Sequence, residues 1–327
     1  MMRSPCTITL PTKGFGEAVE APFDARSRQR RMNVSCGTAA KLNLYRTFGC
    51  ITALASNPSY DELLQRLSTR FTASEARYAL RCLVEDALPE KKITTEADIQ
   101  LLNAFVERLI SGEPLQYVTG VAWFFKLRFA VNPSVLIPRP ETEELVEWVL
   151  DTFPNGTFSV LDIGTGSGCI AIALKRMRPD WSVAAWDVSN DALSTARNNA
   201  TRNAADVSFE LRDLTQITNL PQTLDVIVSN PPYIASNEES ELDENVLAHE
   251  PHLALFAPPN DPLFFYTAIC EVSTKALVEN GAVFVELNQR LAEETFKLFM
   301  GYFRYVEMRR DISGNFRMLM ASGPKER

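Results

Sequence analysis

Leu224-Asp225-Val226-Ile227-Val228-Ser229-Asn230-Pro231-Pro232-Tyr233-Ile234 runs from a short apolar stretch into a polar side chain, two prolines and an aromatic ring. Leu224 to Val228 reads as a buried strand of a parallel sheet. Neither Pro231 nor Pro232 can donate to a ladder, so the strand stops at Asn230. The turn beyond the strand is rich in acceptors. Both prolines keep a carbonyl while lacking an N–H, and Asn230 adds a side-chain oxygen beside the flat face of Tyr233. Such a site suits a planar, amino-bearing group, because a carboxamide or an exocyclic base amine presents two N–H donors in one plane. Taken alone, Asn-Pro-Pro-Tyr is equally a proline-rich turn after a core strand, and the flanking sequence has to decide.

Outward from that strand the chain alternates strand and helix. Phe158 to Ile163, Ser182 to Asp187 and Ala282 to Glu286 are further apolar strands with helical stretches between them. The pattern predicts an α/β fold with a parallel sheet covered on both faces, whose ligands bind beyond the carboxyl ends of the strands. Upstream, Glu141 to Thr152 reads as a helix burying Leu145, Val146, Trp148 and Val149. Residues 113–140 form a connector in which Trp123 to Val131 partly alternates, as a hairpin strand does, before Pro138-Arg139-Pro140 stiffens the exit. Residues 32–112 read as a small all-helical domain, with stripes such as Leu63, Leu64, Leu67 and Phe71 on one face. Thr72 and Glu75 have capping-box spacing, and Gly112 ends the last helix. Residues 1–31 mix Pro, Gly, Ser and Arg without a hydrophobic period and read as a disordered tail. The remainder, 141–327, is the α/β domain.

Composition narrows the function classes. At 327 residues and 46% hydrophobic the chain can bury a large core. Charged residues break every apolar segment well short of a membrane span. A net charge of -8 argues against a partner gripped mainly through phosphates. The six cysteines form no CxxC pair, which points to a reducing, cytoplasmic setting. His249-Glu250-Pro251-His252 has the wrong spacing for a zinc helix and contains a helix-breaking proline, so no metal is expected.

Asp162-Ile163-Gly164-Thr165-Gly166-Ser167-Gly168 is a strand entering a glycine turn, with a helix starting near Cys169. Glycines let backbone turn tightly and approach a ligand closely. The spacing is GxGxG rather than the GxGxxG of dinucleotide folds, whose pyrophosphate sits at a helix N-terminus. Asp187 ends the second strand, where a carboxylate can accept from ribose hydroxyls; alone, it is as good a cap for the helix beginning near Asn190. Together with the Asn-Pro-Pro-Tyr stretch, these residues favour S-adenosylmethionine as cofactor.

The chain resembles the PrmC/HemK family of protein-glutamine N5-methyltransferases, which modify the GGQ glutamine of peptide-chain release factors. The similarity runs from about residue 58 to 321. It rests on Gly112-Glu113-Pro114-Leu115-Gln116-Tyr117, Leu136-Ile137-Pro138-Arg139-Pro140-Glu141-Thr142-Glu143, the glycine turn, Ser229-Asn230-Pro231-Pro232-Tyr233-Ile234, Glu250-Pro251 and Asp311-Ile312-Ser313-Gly314. The resemblance implies a helical domain that docks the release factor and a class I, Rossmann-like methyltransferase domain. It implies that Gly164, Thr165, Gly166, Ser167, Gly168 and Asp187 hold the cofactor, that Asp213 and Leu214 line its adenine, and that Asn230, Pro231, Pro232 and Tyr233 hold the glutamine. The chain departs from the family pattern at Lys126, at Glu286-Leu287-Asn288 and at Ala257-Pro258-Pro259-Asn260-Asp261-Pro262, in place of glycine-bearing turns. No direct nucleic-acid partner, membrane or metal is expected. The rivals are a nucleic-acid amino methyltransferase, which could hold a flipped adenine amine with the same acceptors, a non-catalytic adapter, and a nicotinamide dehydrogenase. The acidic charge and the Pro-Arg-Pro-Glu-Thr-Glu connector speak against the first, intact glycines and Asp187 against the second, and GxGxG against the third.

Overall fold

The computed structural model describes residues 58–88, 92–217 and 223–325. The tail expected over 1–31 and the start of the helical segment lie outside the described residues. Three helices come first: α1 (Pro58–Leu67), α2 (Ala73–Cys82) and α3 (Glu96–Ile110). Thr72 and Glu75 close the expected capping box at α2, and Thr95 with Asp98 closes a second one at α3. Leu63, Leu67, Leu80, Leu83, Leu102 and Val106 meet in a core of their own. At Gly112 the chain turns away from α3 with φ +104°, and a Cβ there would lie 2.5 Å from Asn245 Oδ1. Arg70 spans the same gap, donating to Ile110 O and to Asn245 Oδ1 at 2.9 Å each.

A short helix, α4 (Leu115–Thr119), opens the connector. Strands β1 (Val121–Phe124) and β2 (Leu127–Ala130) then form the antiparallel hairpin. Phe125 and Lys126 turn it with φ of 50° and 62°, the primed two-residue geometry that glycine normally serves. Helix α5 (Pro140–Thr152) starts with Pro140 in its first turn.

The α/β unit then runs β3 (Ser159–Ile163), α6 (Cys169–Met177), β4 (Ser182–Asp187), α7 (Asn190–Arg202), β5 (Ser208–Leu211), β6 (Leu224–Ser229), α8 (Glu244–His249), α9 (His252–Leu255), α10 (Phe264–Ala276), β7 (Leu277–Glu286), α11 (Ala292–Tyr302), β8 (Phe303–Arg310) and β9 (Phe316–Pro324). Seven strands lie in the order β5-β4-β3-β6-β7-β9-β8. The expectation of a purely parallel sheet is corrected at one edge, where β9 is antiparallel to both β7 and β8. The few residues between β8 and β9 leave room only for a reversal of direction, since a parallel return needs a long crossover. One face of the sheet packs α5, α6 and the hairpin phenylalanines Phe124 and Phe129. The other packs Tyr266, Ile269 and Phe299 from α10 and α11. Among the described residues no helix is long and apolar enough to cross a membrane.

Strand order reverses between β3 and β6, which are hydrogen-bonded neighbours. In such sheets the crevice at the reversal is where a ligand settles. Ser229 Oγ donates to Ile163 O at 2.7 Å and pins the two strand ends together. The glycine turn and the Asn-Pro-Pro-Tyr stretch therefore leave the sheet side by side.

Candidate active site

The glycine turn is anchored from below and open above. Gly164 N and Thr165 N both donate to Trp186 O at 2.9 Å. Gly164 and Gly166 have φ of 71° and 55°, and a Cβ at either would meet nothing within 4 Å. Gly168, by contrast, packs: a Cβ there would lie 2.9 Å from Ile172 Cδ1. Thr165 and Ser167 are buried. The Thr165 hydroxyl donates to Asp162 Oδ2 at 2.6 Å, and Ser167 O accepts from Asn199 Nδ2 at 2.9 Å. Asn199 also brackets Ala130, accepting from its N–H and donating to its carbonyl, so one side chain ties the hairpin to the glycine turn.

Asp187 stands at the end of β4 and faces this turn. Its Oδ2 accepts from Gly166 N at 2.8 Å and its Oδ1 from Ser189 N at 2.9 Å. The reading of Asp187 as the cap of the next helix is corrected, because Ser189 is the N-cap of α7 and accepts from Ala192 N. Burial raises the Asp187 carboxyl above its ordinary range, against the pull of the backbone donors. Asp213 and Leu214 come just after β5, whose Leu211 is paired with Asp187. There the Asp213 carboxylate accepts from Thr215 and Gln216, and Leu214 leans on the second core.

Asp162 lies beneath the cradle, fully buried. Its Oδ2 accepts from Thr165 and Ala171, while its Oδ1 has no partner. Burial, reinforced by Asp187, lifts its carboxyl to about 7. An orphaned buried acceptor, Cβ-free space over two glycines and a carboxylate with lone pairs left over suit a cofactor bearing ammonium and hydroxyl donors.

On the other side of the crevice Asn230 Nδ2 donates to Thr142 Oγ1 at 3.2 Å. Thr142 Oγ1 donates to Glu286 Oε2 at 2.6 Å, and Tyr233 OH donates to Glu286 Oε1 at 3.0 Å. Burial holds the Tyr233 hydroxyl well above its ordinary range. Burial also raises the Glu286 carboxyl, opposed by its hydroxyl donors and by Arg317. Asn288 Nδ2 donates to Tyr233 O at 2.9 Å and so holds the loop.

Helix α5 begins as a hub. Thr142 meets Asn230, Glu143 Oε1 accepts from Phe125 N in the hairpin turn at 2.9 Å, and Glu144 Oε1 accepts from Ile312 N at 3.2 Å. Just before it, Arg139 pairs with the buried Glu250 at 2.6 Å, and Glu250 also accepts from Ile137 N. Among the described residues no group of His, Cys, Asp and Glu is placed to hold a metal ion.

The sequence-derived residues Gly164 to Gly168, Asp187 and Asn230 to Tyr233 thus share one crevice. Roles for Asp162, Thr142, Glu286 and Glu250 were missed. For Asp162 and Glu286 the signal was a charged residue closing or interrupting an apolar strand, in Val160-Leu161-Asp162-Ile163 and Val283-Phe284-Val285-Glu286, since such charges are kept inside only when paired or functional; Thr142 and Glu250, outside any strand, carry no such signal.

Residues 143–253 match the family model described as methyltransferase small domain. A release factor glutamine methyltransferase of Flavobacterium psychrophilum is 47% identical over 229 residues, which cover 68% of this chain and 80% of the relative. One from Bacteroides thetaiotaomicron is 43% identical over 68% of this chain and 80% of its own length. A third, from Streptococcus pneumoniae, is 41% identical over 71% and 82%. With identity of 41 to 47% over more than two thirds of this chain and 80% or more of each relative, the chain belongs to the family of release factor glutamine methyltransferases.

Proposed function

We propose that this protein transfers a methyl group from S-adenosylmethionine to the side-chain amide nitrogen of the glutamine in the GGQ loop of peptide-chain release factors. The observation that carries the reading is Asn230, whose NH2 is engaged by Thr142 so that its Oδ1 is left as an acceptor beside the carbonyl of Pro231. Gly164 to Gly168 and Asp187 hold the cofactor, with Asp213 and Leu214 toward its adenine. When bound, the cofactor supplies an electrophilic methyl on sulfur, and its C–S bond breaks as the new N–C bond forms.

An amide nitrogen is a poor nucleophile because its lone pair is delocalised into the carbonyl. Asn230 Oδ1 and the Pro231 carbonyl accept its two N–H groups, turn the lone pair toward the methyl and stabilise positive charge as it develops. Tyr233 packs on the amide plane, and Pro232 keeps the loop stiff. Holding nitrogen and methyl carbon about 3 to 3.5 Å apart supplies several kcal/mol by proximity. The nitrogen then loses its proton to water. In this reading residues 32–112 dock the release factor, 113–140 connect, and 141–327 carry the chemistry, all in the cytoplasm.

The test is to offer labelled S-adenosylmethionine with release factor, a GGQ-to-GGA release factor, tRNA and duplex DNA. Label is expected only in the first. Label in nucleic acid, or in the GGA protein at the same rate, overturns the proposal.

A further inference from the structure

We infer that Thr142, anchored on Glu286, is a positioning residue: it sets which end of the Asn230 amide faces the substrate. The inference rests on the reading of Asn230 as the substrate-amide acceptor and adds the device that makes it one.

The two ends of a carboxamide are nearly the same shape but opposite in hydrogen-bonding sense, so an Asn side chain points the right way only if its neighbours force it. Here the forcing is directional. An ionised carboxylate only accepts, and Glu286 receives Thr142 Oγ1 on one oxygen at 2.6 Å and Tyr233 OH on the other at 3.0 Å. The single hydroxyl hydrogen of Thr142 is therefore committed to Glu286. What Thr142 offers Asn230 is a lone pair, which only the NH2 end can meet, and the contact is 3.2 Å. Oδ1 is left as the free end, the one that an incoming N–H requires. With the amide reversed, Asn230 would present NH2 to a substrate NH2, two donors face to face.

Burial raises the Glu286 carboxyl, and the Thr142 and Tyr233 hydroxyls with Arg317 oppose that and favour its ionised, accepting form. Glu286 is 2% exposed and Thr142 equally buried. Arg317 from β9 attracts its charge while Glu141 from α5 repels it, and Tyr266 from α10 donates to its backbone carbonyl at 3.0 Å. Arg317 is in turn held by Asp311, its Nε 3.3 Å from Oδ2. Three separate elements, α5, β7 and the loop after β6, each contribute a side chain to this relay.

The experiment is a double-mutant cycle on kcat, with KM for release factor, cofactor affinity and melting temperature measured beside it. Thr142→Val keeps the shape and removes both the donor and the acceptor. It is expected to lower kcat about tenfold, the scale of one lost hydrogen bond, with cofactor affinity and KM within about twofold. Thr142→Ser restores the hydroxyl and is expected to recover most of the rate. In the Asn230→Ala background Thr142→Val should have no further effect, because Thr142 acts only through Asn230. A parental kcat in Thr142→Val, no recovery with Ser, or a full multiplicative loss in the double variant overturns the relay. If Val does not fold, Thr142→Ala enters the same cycle. Asn230→Ala at the parental rate would instead sink the reading on which the relay rests.

Discussion

Asp162→Asn separates what the buried carboxylate costs the fold from what it does for a ligand. The carboxyl of Asp162 is raised from an ordinary 3.8 to about 7, so its charged form is disfavoured in the folded state. For an acid with a raised folded value, stability is fully present below the unfolded value and is lost as pH rises through the folded one. Each tenfold change in acid strength is about 1.4 kcal/mol, so above about pH 7 the charge costs the ligand-free protein roughly 4 kcal/mol. Near about pH 6 the folded side chain is mostly protonated while the unfolded one is still ionised, and the cost falls to about 3 kcal/mol. Asparagine keeps an oxygen for Thr165 and Ala171 and has no charge to bury. The variant's advantage over the parent should therefore shrink by about 1 kcal/mol between about pH 8 and about pH 6, or about 2 °C in melting temperature. Urea unfolding without cofactor at both pH values measures it. Parallel pH dependences for parent and variant would refute the assignment of that cost to Asp162.

Two further changes probe the cradle and the connector. Asp187→Ala should weaken S-adenosylmethionine binding at least about tenfold, since a charged acceptor loses hydroxyl bonds of roughly 1.5 to 3 kcal/mol each; unchanged calorimetric binding would remove Asp187 from the site. Lys126→Gly should raise stability by about 0.5 to 1 kcal/mol, because a left-handed non-glycine residue costs about 1 to 2 kcal/mol and glycine's own entropy takes back part of that. Thermal unfolding reads it, and a fall in melting temperature would show that Lys126 has a contact worth more than its strain.

The parts of the fold legible in the sequence were those where one local signal sufficed. Val226, Ile227 and Val228 could only be a buried strand, the prolines behind them could only end it, and Gly164 to Gly168 at the end of another strand marked the crevice. Strands β5, β8 and β9 were not read. Ser208-Phe209-Glu210-Leu211 is short and half exposed, and Phe303 to Arg310 carries Arg304, Glu307, Arg309 and Arg310, charges that suit a sheet edge but blur its period. Asp187, read as a cofactor residue, taken alone could equally have capped the next helix, because spacing cannot separate it from Ser189; the capping bond belongs to Ser189. The relay was beyond sequence reasoning for a different reason: Thr142 meets a carboxylate 144 positions away, and nothing local at either residue names the other.

The central claim is that Asn230 holds the substrate amide while other residues hold the cofactor, and one measurement divides the two roles. Asn230→Ala removes the side-chain acceptor and leaves the strand, the prolines and the glycine turn in place. Single-turnover methylation of release factor at saturating cofactor should slow about a hundredfold or more, the scale of about 2.7 to 4 kcal/mol for one lost preorganised partner of a developing charge. A binding isotherm for S-adenosylmethionine should be nearly unchanged. A parental rate would contradict the account and reduce Asn230-Pro231-Pro232-Tyr233 to a turn.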